Sequence, residues 1–166
     1  MILSSQTAME HLSLPPICLV LALAAPAIGA ETLTGIEGRP REEVLDLEWE
    51  PMRQAQGIFP FHPEIAEVAE GSFRRKGPPG IVGSGYVVKT LEAALWAFHD
   101  AEDFREAVLQ AVNLGDDADT TGAVCGQFAG AYWGESGIPE EWLEGLARKD
   151  MIEKALGGLL GHQKYD

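Results

Sequence analysis

Basic residues are scarce in this 166-residue chain: 12 Lys and Arg stand against 26 Asp and Glu, for a formal net charge of −14. That shortage argues against a nucleic-acid phosphate binder, whose affinity comes from clustered Lys and Arg that release counterions. Cysteine is nearly absent. Cys18 and Cys125 lie in apolar helical patterns, away from paired-thiol or metal spacing, and read as buried reduced thiols of a cytoplasmic protein. The apolar stretch from Ile17 to Ala30 is too short to span a bilayer and is interrupted by Pro26. It ends in small residues as a secretory leader does, but Glu10 precedes it where a leader needs Lys or Arg. A core helix is the preferred reading, with a retained leader as the alternative. Alternating strand patterns are missing throughout, which leaves an all-α class. His11, His62, His99 and His162 are scattered, with no spacing that suggests a ligand pair or catalytic dyad.

What the chain does have is one concentrated stretch, Asn113 to Gly134, reading NLGDDADTTGAVCGQFAGAYWG. Asp116, Asp117 and Asp119 are followed directly by Thr120 and Thr121, then by a small and apolar run with Gly122, Gly126 and Gly130 four apart. Residues four apart share a helix face, and each glycine costs roughly 1 kcal/mol against alanine. A helix that accepts three of them is expected to have another helix or a ligand close to its backbone. Clustered carboxylates repel one another, and a hard cation such as Mg2+ would hold them together through oxygen ligands. Asp and Thr are also ordinary N-cap residues, so the turn alone leaves metal site and helix cap both open. Asp117-x-Asp119-x-Thr121-Gly122 begins like a calcium-binding EF-hand loop, but Phe128 falls where the bidentate Glu belongs, and that reading fails. Asp117-x-Asp119-x-Thr121 also looks like the nucleophile motif of haloacid-dehalogenase-like phosphatases, a minor alternative that needs a buried strand ahead of it.

Short helices are expected from Pro40 to before Pro51 and from Pro63 through Glu70. The loop RRKGPPG, Arg74 to Gly80, follows. Its cations would face either solvent or a pyrophosphate, solvent being the commoner fate of a short charge run. A strongly periodic helix runs from about Tyr86 to His99, with Val87, Val88, Leu91, Ala94, Leu95 and Phe98 as its apolar stripe and Ser84 as a candidate N-cap. Asp103-x-x-Glu106 is a capping box opening a helix with Phe104, Ala107, Val108, Ala111 and Val112. Pro139 starts a helix carrying Trp142 and Leu146, and a last one spans about Met151 to Leu160. The acidic pairs Glu42-Glu43 and Glu140-Glu141 read as first-turn residues favoured by the helix dipole. The length suits one domain, taken as 1–166, with its own core.

The segment IVGSGYVVKTLEAALWAFHDAEDFREAVLQAVNLGDDADTTGAVCGQFAGAYWGESGIPEEWLEGL, Ile81 to Leu146, resembles the carboxy-terminal part of the ADP-ribosylglycohydrolases of the dinitrogenase-reductase-activating type. The resemblance extends more weakly to the start of the chain. It implies a compact all-α orthogonal bundle and a hydrolase that cleaves the N- or O-glycosidic bond between ADP-ribose and a protein side chain or small acceptor. Two Mg2+ ions, with Mn2+ able to stand in, belong to the complete family site. The family's Asp-x-Asp-Thr signature carries metal-ligand roles to Asp117, Asp119 and Thr120. Its turn near the substrate ribose or adenine makes Ser84, Gly85 and Tyr86 candidate contacts. The amino-terminal Thr-Asp-Asp-Thr type motif and the catalytic acidic residue of the family find no match here, so the resemblance implies a split or truncated half with its catalytic residue unassigned. Its substrate would be an ADP-ribosylated protein or a small ADP-ribosyl compound, with neither nucleic acid nor membrane as partner. The alternative is a non-catalytic remnant, or a subunit that binds ADP-ribose or a partner chain supplying the other half.

Overall fold

The computed structural model describes residues 40–46, 48 and 62–159. Within them lie seven α-helices and no strand: α1 (Arg41–Val44), α2 (Pro63–Ala69), α3 (Val87–Asp100), α4 (Phe104–Val112), α5 (Ala118–Trp133), α6 (Glu140–Glu144) and α7 (Lys149–Leu159). Short 3-10 turns occupy Ser72–Arg74 and Glu135–Gly137. No helix among the described residues is long and apolar enough to cross a membrane. The Ile17–Ala30 stretch and Cys18 lie outside the described residues.

Helices α3, α4 and α5 pack mutually and form the centre. Ala94, Ala97 and Phe98 of α3 meet Phe104, Ala107 and Ala111 of α4 and Val124, Cys125 and Ala129 of α5 in one buried cluster. Tyr132, Trp133 and Trp142 close over it, and Phe98 makes edge contacts with the Tyr132 and Trp133 rings at 5.6 and 5.5 Å between centroids. A second cluster joins Ile65 and Val68 of α2 and Phe73 to Val88, Leu91 and Leu95 on another side of α3. The expected stripe of α3 is therefore correct but too narrow. Ala93, Thr90 and Glu92 are buried as well, because neighbours flank α3 on several faces. Cys125 is fully buried, its Sγ lies 3.4 Å from the Ala107 carbonyl, and burial pushes its thiol up to about 12.

The caps follow the sequence with small shifts. Asp103 accepts from the Glu106 N–H at 2.7 Å, while the Glu106 carboxylate reaches back to the Glu102 N–H, one residue earlier than the standard box. Glu42, Glu43, Glu140 and Glu141 all sit in first turns, as expected. α6 ends before Leu146, which is exposed, while Trp142 packs its ring on Phe104. Arg41 fixes α1 to the end of α3. Its guanidinium donates to the Phe98 and Ala101 carbonyls and lies 5.4 to 5.7 Å over the rings of Trp133, Tyr132 and Phe98. A cation at a helix C-terminus, backed by aromatic faces, is favoured on both counts.

Glu92 is a charged residue in the interior, with a side chain only 4% exposed. Ser72 Oγ donates to it at 2.5 Å, Lys76 Nζ at 2.6 Å and Lys89 Nζ at 3.4 Å. Burial pushes this carboxyl up, but the hydrogen bonds from Lys76 and Ser72 and the charges of Lys76 and Lys89 outweigh it and hold it below its ordinary value. The network ties the Ser72–Lys76 loop to the middle of α3.

The glycine face of α5 does not meet a neighbour along its whole length. A Cβ on Gly122 would lie 2.6 Å from Val112 Cγ1, whereas one on Gly126 would meet nothing within 4 Å. Spacing defined the face but not what stands opposite it. Gly126→Ala is expected to raise stability by about 0.5–1 kcal/mol, since the glycine has no steric reason to remain. Gly122→Ala is expected to lower it, and paired denaturation midpoints check both. For Glu92, a depressed folded value means stabilisation that is complete above the unfolded carboxyl's titration near about 4 and lost as pH falls through the folded value. Glu92→Gln should cost about 1–3 kcal/mol at pH 7, and the gap should close in melts recorded below pH 4.

Candidate functional site

Two turns meet at one end of the central helices. The first joins α4 to α5. Gly115 (φ 76°) and Asp116 (φ 51°) are both left-handed, which reverses the chain and starts α5 immediately after α4. Asp tolerates this region better than most residues, and glycine adopts it freely. Asp117 occupies the N-cap position, yet its carboxylate caps no backbone N–H. Instead Oδ1 accepts from Thr120 Oγ1 at 2.9 Å. Thr121 is fully buried and donates to the Asp117 backbone carbonyl at 2.9 Å, a structural role that separates it from exposed Thr120. The Asp119 carboxylate, in the first turn, is exposed and has no polar partner among the described residues.

The second turn, Gly83 to Tyr86, leads into α3. Gly83 is buried with its Cα against the Gly115 carbonyl, where a Cβ would collide. A Cβ on Gly85 would stand 3.6 Å from Asp117 Oδ2. Gly85 is thus brought beside Asp117, although it lies 32 positions earlier in the chain. The Ser84 hydroxyl accepts from the Tyr86 N–H at 3.2 Å, and Tyr86 itself is the cap residue of α3. The expected N-cap therefore shifts by two positions. Thr90 Oγ1 donates to the carbonyls of Ser84 at 2.5 Å and Tyr86 at 3.3 Å. Tyr86 is half exposed and its hydroxyl donates to Glu64 Oε2 at 2.5 Å. That hydrogen bond, with partial desolvation and the Glu64 charge, raises the phenol above its ordinary value.

Other expectations fall away. The cations of the RRKGPPG loop face no shared anion position: Arg74 donates to the Leu45 carbonyl and covers Phe73, Arg75 donates to the Glu70 carbonyl, and Lys76 holds Glu92. The phosphatase alternative needs a strand before Asp117, and the preceding residues form α4. His99, read as one of four scattered histidines, pairs with Asp100 and packs on Phe73. Among the described residues no three His, Cys, Asp or Glu side chains come together closely enough to enclose an ion by themselves. Thr90 and Glu64 were not singled out in the sequence. Thr90 had a local signal, being four residues after Tyr86 in a helix, where a threonine can bond back. Glu64 had none, because its partner is 22 residues away.

The ADP-ribosylglycohydrolase family model matches residues 5–165. The chain belongs to the ADP-ribosylglycohydrolase family. Within that family it is 39% identical over 127 residues to ADP-ribosylarginine hydrolase Tri1 of Pseudomonas putida (strain GB-1), a match covering 76% of this chain and 32% of the relative. Against ADP-ribosylarginine hydrolase Tri1 of Serratia proteamaculans (strain 568) it is 42% identical over 95 residues, 57% of this chain and 26% of the other. The ADP-ribosyl-[dinitrogen reductase] glycohydrolase of Rhodospirillum rubrum is 42% identical over 66 residues, 40% of this chain and 22% of that protein. A solved chain from an ADP-ribosylglycohydrolase-related protein complex superposes with a TM-score of 0.59 at 47% identity, covering 69% of this chain and 38% of that one. This ADP-ribosylglycohydrolase-family chain thus spans about a third or less of the length of the curated relatives it matches.

The close seat of one turn on the other can be tested directly. Gly83→Ala should destabilise the protein by about 1–3 kcal/mol, since its Cβ meets backbone that cannot yield. Gly85→Ala should stay within about 0.5 kcal/mol, its Cβ making ordinary contact. Urea titrations of the two variants, read side by side, give both values.

Proposed function

We propose that the chain acts as a Mg2+-dependent ADP-ribosyl hydrolase in the cytoplasm, with ADP-ribose linked to arginine as its substrate. The observation that carries this reading is the meeting of the Ser84–Tyr86 turn with the Asp117 carboxylate. Mg2+ takes oxygen ligands, keeps several waters and needs one or two carboxylates from the protein. Asp117, Asp119 and Thr120 fit that requirement in kind, because Asp117 is not consumed as a helix cap and Asp119 is exposed. These three residues would hold the ion. When bound, it would supply charge and orientation for ribose hydroxyls and an attacking water.

The chain's own residues supply the rest of the recognition. Gly85 exposes backbone for close approach to a sugar or phosphate, and the half-exposed Tyr86 ring offers an aromatic face to a base. The choice of arginine as acceptor follows from two relatives that are named ADP-ribosylarginine hydrolases. No residue is assigned as the acid or base of the cleavage. A second reading, an ADP-ribose-binding module that a partner chain completes, is favoured by the lack of a third close carboxylate among the described residues.

The deciding experiment incubates the chain with Mg2+ and an ADP-ribosylated arginine protein and measures free ADP-ribose. Release that Asp117→Ala reduces by 100-fold or more, roughly the cost of losing one preorganised electrostatic contact to the transition state, is the expected outcome. Absence of release by the unaltered chain, with ADP-ribose still bound in calorimetry, would support the binding module instead. In the same calorimeter, Asp117→Ala and Asp119→Ala should each abolish Mg2+ binding.

A further inference from the structure

The Ser84–Tyr86 turn is held far more firmly than its exposure would require. Gly85 is exposed and Tyr86 is 50% exposed, so burial of apolar surface does only part of the fixing. Yet hydrogen bonds converge on the turn from two separate helices. Thr90 is only 1% exposed, and its hydroxyl makes its shorter contact, 2.5 Å, with the carbonyl of Ser84. A threonine inside a helix ordinarily bonds back four residues. Thr90 does so to Tyr86 at 3.3 Å, but it also reaches six residues back, outside the helix. From the other side Glu64 accepts the Tyr86 hydroxyl at 2.5 Å. Its helix α2 is itself anchored, with Ile65 and Val68 at 4% and 2% exposure in the second cluster. The fourth constraint is Gly83 seated on the Gly115 carbonyl.

We propose that Thr90 and Glu64 are positioning residues of this site, clamping the Ser84–Tyr86 turn at its backbone and at its aromatic tip so that a nucleoside diphosphate sugar meets it preformed beside Asp117. The proposal rests on the reading of that turn as the ligand-contacting element. Neither residue touches the ligand. Each acts by removing motion that binding would otherwise have to freeze, a cost that falls on affinity. The tyrosine ring is the clearest case. Without Glu64 it can rotate freely into solvent, and with Glu64 its face is presented in one orientation next to Gly85.

The test is calorimetric titration of ADP-ribose, with Mg2+ present, into the full chain and into Thr90→Val, Thr90→Ser, Glu64→Ala and Glu64→Gln, with melting temperatures measured alongside. Thr90→Val keeps the shape and removes the donor. Glu64→Ala removes the acceptor at an exposed position. Each is expected to weaken ADP-ribose binding about tenfold, on the order of the cost of freeing one ordered side chain or turn. Thr90→Ser keeps the hydroxyl and Glu64→Gln keeps an acceptor, so both should bind within about twofold of the parent on the same grounds. A merely structural role would lower melting temperature in step with affinity and would show no such rescue. Unchanged affinity in folded Thr90→Val or in Glu64→Ala overturns the clamp, as does a Thr90→Ser variant as weak as Thr90→Val. If Thr90→Val does not fold, the Glu64 pair decides alone. A parent chain that binds no ADP-ribose removes the functional reading and the clamp together, a result distinct from a parent that binds while its variants bind equally well.

Discussion

The spacing of three helices governs the described structure, and alanine sets that spacing. Ala93, Ala94 and Ala97 of α3, Ala107 and Ala111 of α4 and Ala129 of α5 are all without solvent exposure. Helix separation depends on the side chains at the crossing, so small residues bring backbones close. Close backbones bring helix ends close too. The start of α3 and the start of α5 come near enough for the Gly83 backbone to rest on the Gly115 carbonyl, and that contact sets one turn of the candidate site against the other. Aromatic rings then fill the outer space that the alanines leave, with Phe98, Tyr132, Trp133 and Phe104 crossing edge to face around the cluster.

Buried polar groups in this molecule join segments that apolar packing leaves loose. Glu92 ties a loop to the middle of α3, Thr121 closes the first turn of α5 and Thr90 holds the approach to α3. Each is satisfied: no buried side-chain nitrogen or oxygen among the described residues lacks a hydrogen-bond partner. An unpaired group in such surroundings would cost more than the bond contributes, so these residues specify one arrangement of their loops rather than adding much net stability.

Much of this was legible in the sequence. The apolar stripe of α3, the Asp103–Glu106 cap and the acidic turn before α5 are local patterns with periods or offsets of three and four residues. Such patterns are fixed by helix geometry, and they appear where expected. The second face of α3 was not legible, because alanine and threonine carry no strong signal of burial. Glycine spacing along α5 misled in part: it identifies a face, but only the fold determines that Gly122 meets Val112 and Gly126 meets open space. The link from Glu64 to Tyr86 joins two helices through tertiary packing, and no local rule reaches across it. The candidate residues Asp117, Asp119, Thr120, Ser84, Gly85 and Tyr86 came from a family pattern. The approach of Gly85 to Asp117 came from the three-dimensional arrangement.

The pair of left-handed residues at Gly115 and Asp116 sets the phase of α5. A helix advances about 100° per residue, so its angular setting is decided where the chain enters it. One residue more or fewer in this connection would rotate Asp119 and Thr120 by a quarter-turn or more about the axis of α5. It would also carry Val124, Cys125 and Ala129 off the faces that α3 and α4 present. The acidic turn is therefore a segment of fixed length, in which side chains can be exchanged singly but the count of residues cannot change without uncoupling the site from the core at the same stroke.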